Sequence, residues 1–244
     1  MTELNDLTKE ELLGLLQDAI RDIISHGALW FRAAEEELGM DEAIDLDNAA
    51  WADNFPRQSG RLCRGLGWEE KAGIPSFFLN LSRDKLLALW TDLGSNWLTN
   101  DGVWFRTVEE KHGMAVAKKL NDEAWKRFAI IEARRIMGRL SIEKNGGIAA
   151  LGQALKFRLY AGINQQEILQ FPGNKLVFRM NDCRVQSARK RANLPEYPCK
   201  SAGMVEFTNF ARAVDSRIET RCLACPPEPH PGEYWCAWEF ELRE

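Results

Sequence analysis

Four cysteines in the last fifty or so residues, Cys199, Cys222, Cys225 and Cys236, have the types and spacing of a metal site. A Cys-x-x-Cys pair with two further cysteines brings thiolates from separated segments toward one soft or borderline cation. Zinc suits such donors best, and an iron–sulfur cluster is the alternative. Glu219, three residues before Cys222, and Cys183 extend the possible donor set. Of the three histidines, His230 is nearest, but it sits in a proline-rich link and reads as an exposed loop residue. Cys63 stands alone in a helical region and reads as a small buried hydrophobe. A thioredoxin-like role for Cys222 and Cys225 is disfavoured, because the pair does not open a helix after a strand. No Ser-His-Asp grouping, phosphate-cradling glycine loop or His-Glu-x-x-His helix is present.

The elements that must carry these residues form two halves. Residues 5–66 recur at an offset of 74: Trp30-Phe31-Arg32 returns as Trp104-Phe105-Arg106, Gly39-Met40 as Gly113-Met114, and Ala50-Trp51 as Ala124-Trp125. Thr8 is placed to cap a first helix, with Glu11 completing a capping box and Leu12, Leu13, Leu16, Ile20 and Ile23 at helical spacing. Ser82 repeats the cap, and Gly39 and Gly113 stand where a helix stops and another begins. The repeated aromatic residues read as core and the repeated Arg and Glu as ion pairs. The domains expected are 1–74, the first copy, and 75–244, the second copy merged with a ligand-binding region.

The back half predicts a helix over 147–160, a hairpin of 168–171 and 176–180 around Pro172-Gly173-Asn174, a helix over 202–214, and strands over 217–223 and 234–242. In the last strand Cys236, Trp238, Phe240 and Leu242 share one face, which points the cysteine at the core. The fold class expected is α+β: a duplicated helical front half, then a small antiparallel sheet packed on helices.

Composition narrows the partners. With 244 residues, 45% of them apolar and 28% charged, the chain has the makeup of a globular protein with a sizeable core. A net charge of −4 argues against nucleic acid as main partner. Its one basic run, Arg184, Arg189, Lys190 and Arg191, reads as a solvated face. No apolar stretch reaches the ~20 residues that span a bilayer, and the acidic N-terminus lacks signal-peptide character. A cytoplasmic location is expected, where thiols serve as ligands rather than disulfides. The duplication leaves a homodimer possible.

The stretch Pro198-Cys199-Lys200-Ser201-Ala202-Gly203, then Ile218-Glu219-Thr220-Arg221-Cys222-Leu223-Ala224-Cys225 and a final-strand Cys236, resembles the vinyl-reductase-type hydrocarbon-binding domain. That domain occurs in bacteriochlorophyll-associated proteins and in phenol-sensing domains of bacterial activators. The resemblance covers roughly 103–244 and implies zinc held by Cys199, Glu219, Cys222 and Cys236. The link between Cys225 and Cys236 is longer than the family's acidic turn, which leaves Cys225 or Cys183 able to replace Glu219. The whole chain is also similar to uncharacterised cytosolic proteins related to aminothiazoline-carboxylate hydrolases.

These readings imply a protein that binds a small hydrophobic molecule as sensor or carrier, with a structural zinc ion beside the pocket. Trp104, Trp125, Phe128, Phe178 and Phe207 are the aromatic residues expected to line that pocket. A metal- or cysteine-dependent hydrolase and an iron–sulfur protein are the alternatives.

Overall fold

A computed structural model describes residues 3–172 and 174–243; Gly173 of the expected hairpin turn lies outside them. The chain divides into two compact units, Met1–Leu81 and Ser82–Glu244. The duplication is exact in its helices. In unit one, α1 spans Lys9–Leu38 and α2 spans Met40–Leu66. In unit two, α4 spans Arg83–His112 and α5 spans Met114–Leu140, the same two lengths of 30 and 27 residues.

Local chemistry explains the match. The Thr8 and Ser82 hydroxyls accept hydrogen bonds from the backbone N–H of Glu11 and Lys85, so each first helix starts at an equivalent cap. Between the helices of each pair, Gly39 and Gly113 take φ of 87° and 82°, a backbone turn that side chains resist. Unit one closes with a minimal hairpin, β1 (Glu70–Lys71) and β2 (Ile74–Pro75), and a short α3 (Ser76–Leu79). Cys63 is buried there, as its setting predicts.

The copies differ in what covers their first helix. In unit two, α4 lies against the 3-10 turn Leu159–Gly162: a Cβ on Gly94 would stand 3.0 Å from the Leu159 carbonyl oxygen, and one on Gly162 would strike Trp90 at 2.5 Å. In unit one the equivalents of Trp90 and Gly94, Leu16 and Ile20, are each 62% exposed, and α1 buries no residue. The apolar stripe read from the sequence is present but is not core.

The rest of unit two is the α+β part. Helix α6 (Gly147–Leu155) is shorter than expected, because the chain leaves it before the 3-10 turn. Strands β3 (Gln165–Phe171) and β4 (Lys175–Asp182) form the hairpin, the eight-residue α7 (Arg184–Arg191) follows, then α8 (Lys200–Val214), β5 (Ile218–Ala224) and β6 (Cys236–Leu242). Helix α7 lies between the expected hairpin and the expected helix over 202–214, where the sequence predicts no element. The sheet is antiparallel in the order β3-β4-β6-β5. One face of it packs on α6 and α8, with Leu151, Leu155, Phe210, Val214, Trp238 and Phe240 each fully buried. Helix α8 also runs along α5, so helical copy two and the sheet share one core. Among the described residues no helix is long and apolar enough to cross a membrane.

Candidate functional site

Pairing within the sheet begins to gather the cysteines. Met180 of β4 faces Cys236 of β6, and the Trp235 N–H donates to the Met180 carbonyl oxygen, which brings Cys183 just beyond β4 toward the start of β6. Cys222 faces Trp238, and a register shift between Cys222 and Ala224 turns the end of β5 toward Cys236. The Lys200 N–H donates to the Pro226 carbonyl oxygen, tying the start of α8, and thus Cys199, to the Cys225 loop. Buried Gln186 of α7 completes the set: its amide donates to the Tyr197 carbonyl oxygen at 2.8 Å and to Cys199 Sγ at 3.0 Å, and accepts from the Tyr197 N–H at 3.0 Å.

Cys225 is fully buried, and Cys183, Cys199, Cys222 and Cys236 are half-buried at the edge of the same core. All six cysteines are free. Hydrogen bonding to Cys199 and Cys236, reinforced by burial, holds the Cys225 thiol protonated; burial pushes the Cys183 thiol up to about 12 and raises that of Cys222. Among the described residues no group of three or more His, Cys, Asp or Glu side chains is disposed to hold a metal ion as it stands. The donor chemistry nonetheless suits one. Thiols are the soft donors that zinc takes in structural sites.

Glu219 faces away from these thiols. Residues three apart on a strand face opposite sides of a sheet, so Glu219 turns to solvent and accepts from Arg243 Nε at 2.8 Å while Cys222 faces inward. His230 is engaged within its own loop, where Nδ1 lies 3.0 Å from the Pro231 oxygen and 3.1 Å from that of Tyr234.

Beside the thiols lies a cavity of about 560 Å³, entirely within unit two. Cys183, Cys199, Cys225 and Cys236 form part of its wall, with Trp125, Phe207 and Trp238. Of the five aromatic residues expected to line it, Trp125 and Phe207 do. The other three are corrected. Trp104 is 67% exposed, because its neighbour Phe105 takes the inward position on α4. Phe178 lies in the core, packed on Phe207 with ring centroids 5.2 Å apart. Phe128 stacks on Trp97 behind the wall.

Polar groups at the cavity are tied to one another. Lys118 Nζ donates to the Tyr197 hydroxyl at 2.8 Å, that hydroxyl donates to Asn121 Oδ1 at 2.5 Å, and Asn121 Nδ2 donates to Asp101 Oδ1 at 3.1 Å. Burial raises the Asp101 carboxyl above its usual range, against its hydrogen bonds from Asn121 and Trp125. Burial also raises Glu206, against the pull of Arg158, and keeps Tyr160 well above its ordinary value. Tyr160 stacks on Trp125 with the rings 7° from parallel. The Trp238 indole N–H, fully buried at the wall, has no acceptor.

The sequence reading missed Asp101, Asn121, Tyr160, Tyr197 and Glu206. A signal existed for two of them. Glu206 falls between Ala202 and Phe210 on the buried face of α8, and Asn121 precedes Trp125 and Ala129 at four-residue steps on α5. A polar residue on an apolar helical face marks a buried polar site. The basic run lies on a helix exposed at Arg184, Lys190 and Arg191, as expected, and Arg184, Arg189 and Arg191 also border the cavity.

The chain matches the family of unknown function DUF6125 twice, over residues 5–82 and 79–242, and belongs to that family. The two matches fall on the two copies of the duplication. No curated protein matches it. Among solved structures, the chain is similar to the crystal structure of the phenol-responsive sensory domain of the transcription activator PoxR with phenol. The identity is 16%, over 63% of this chain and 74% of that one, with a TM-score of 0.40.

Proposed function

We propose that this protein binds a small, mainly apolar molecule in the cavity of unit two, as a sensor or carrier. The cavity itself carries the reading. At about 560 Å³ it lies within the ~300–1,000 Å³ that small-molecule sites occupy, and the aromatic side chains of Phe105, Trp125, Phe207 and Trp238 in its wall suit an apolar guest. A cysteine-nucleophile hydrolase is disfavoured. Nucleophilic cysteines have lowered thiol pKa values, whereas Cys183, Cys222 and Cys225 are all raised.

A structural zinc ion held by Cys199, Cys222, Cys225 and Cys236 belongs to the same proposal, with Glu219 left out of the shell. When bound, the ion would supply a closed thiolate shell joining β5, β6 and the start of α8, a structural rather than catalytic use of the metal. Support comes from the soft donor set and from Cys199, Cys225 and Cys236 sharing one cavity wall. Elemental analysis of purified protein tests it: about one zinc per chain is expected, and visible charge-transfer absorption with iron present would establish the iron–sulfur alternative instead.

The cavity reading is tested with the uncharged fluorophore N-phenylnaphthylamine. Saturable binding to the native protein is expected, abolished in a folded Ala188→Trp variant, since Ala188 lines the cavity. Binding that ignores this plug would overturn the reading.

A further inference from the structure

Helix α7 carries its basic run along the edge of the cavity. A basic run on a surface helix ordinarily faces water. Here the α7 residues that line the cavity include Arg184, Val185, Ala188, Arg189 and Arg191, which recur at helical spacing along one side; Lys190 is not among them. Three of the four basic residues of the run therefore face the cavity.

Their state of pairing differs. Arg189 is compensated: its guanidinium lies 3.4 Å from Glu109, and its Nε donates to the Pro195 carbonyl oxygen at 2.7 Å. The Arg184 guanidinium donates to the Ser95 hydroxyl at 2.8 Å and has no carboxylate partner among the described residues. Arg191 makes no ion pair among the described residues, and both it and Arg184 are exposed, which puts them where the cavity opens. Arg106, a fourth lining arginine, has only a loose exposed partner in Glu110 at 3.7 Å. The two lining acids do not offset this charge: Glu206 lies against Arg158, and Asp101 is held by Asn121 and Trp125. The opening is thus cationic, and the wall behind it aromatic and thiol-rich.

We infer that the ligand is an amphipathic anion, an apolar body carrying a carboxylate, sulfonate or phosphate head, with the body inside the cavity and the head between Arg184 and Arg191. This rests on the cavity reading and adds the charge of the ligand. Guanidinium groups suit such heads because their paired N–H donors match planar or tetrahedral oxyanions. Two of them near an aqueous opening contribute modestly, as exposed pairs do.

The test compares two probes with the same aromatic body on full-length protein: anilinonaphthalene sulfonate, which carries an anionic head, and uncharged N-phenylnaphthylamine. In an Arg184→Gln/Arg191→Gln variant, sulfonate binding should weaken about tenfold and neutral binding change less than about twofold. On the native protein, raising salt to ~0.5 M should weaken only the sulfonate, a measurement that needs no variant to fold. Equal loss of both probes, or a sulfonate affinity indifferent to salt and to both arginines, overturns the inference while the cavity reading stands. Failure of both probes to bind the native protein overturns the cavity reading, and this inference with it.

Discussion

Arg158 and Glu206 meet 2.6 Å apart under the cavity wall, with side chains 1% and 10% exposed. On its other side the Arg158 Nε donates to Glu132 Oε2 at 2.8 Å, and Glu132 Oε1 accepts from the Leu159 N–H at 3.0 Å. Burial opposes the Arg158 charge, but the two carboxylates outweigh it and hold the guanidinium ionised. Burial shifts Glu206 toward its neutral form against the pull of Arg158, and the second carboxylate, Glu132, adds to that shift because two acids around one base leave an excess negative charge.

That asymmetry makes the three residues unequal. Arg158→Ala strands two buried carboxylates and should cost about 3–5 kcal/mol in urea unfolding. Glu206→Gln removes the excess charge while keeping shape, and should change stability by less than about 1 kcal/mol. Equal losses in the two variants would show that Glu206 carries its full charge as part of the fold.

Asp215, fully buried, gives a pH dependence of opposite sign. Its carboxylate accepts from the Arg217 side chain at 2.8 and 3.0 Å and from the N–H groups of Arg217 and Gly147 at 3.0 Å each. These bonds, Arg217 first, hold its pKa below the usual range. A depressed carboxylate stabilises the fold above its unfolded pKa, near 4, and loses that contribution as pH falls through the folded value. At pH 7, Asp215→Asn should cost about 2 kcal/mol, and the gap to native protein should narrow as pH falls below about 4 and close once the folded carboxylate is protonated. A gap that persists in acid would rule this out.

Metal content separates the thiols from the acid. Cys225→Ser should abolish zinc retention and lower Tm, whereas Glu219→Gln should leave both unchanged apart from loss of an exposed pair with Arg243, worth about 0–1 kcal/mol. Elemental analysis of the two proteins side by side decides it. Zinc lost with Glu219 alone would restore that residue to the shell.

Gly203 marks the closest approach of α8 to the sheet. A Cβ there would stand 2.3 Å from the indole ring of Trp238, itself fully buried. Helix propensity alone favours alanine over glycine by about 1 kcal/mol, yet Gly203→Ala should destabilise by about 1–3 kcal/mol through overpacking. Thermal unfolding of the variant gives the sign directly.

The sequence by itself determined the helical duplication, its caps at Thr8, Ser82, Gly39 and Gly113, and the strand face of Cys236 and Trp238. These are local, repeating properties, set by neighbours within a turn or a pleat. The opposite facing of Glu219 and Cys222 follows from the same pleat. Only the tertiary structure decided that Glu219 pairs with Arg243. It likewise decided that Arg184 and Arg191 border a cavity and that Glu206 is shared with an arginine 48 positions earlier in the chain. Which side of a helix meets a cavity, and which charges share one buried space, depend on residues brought together across the fold.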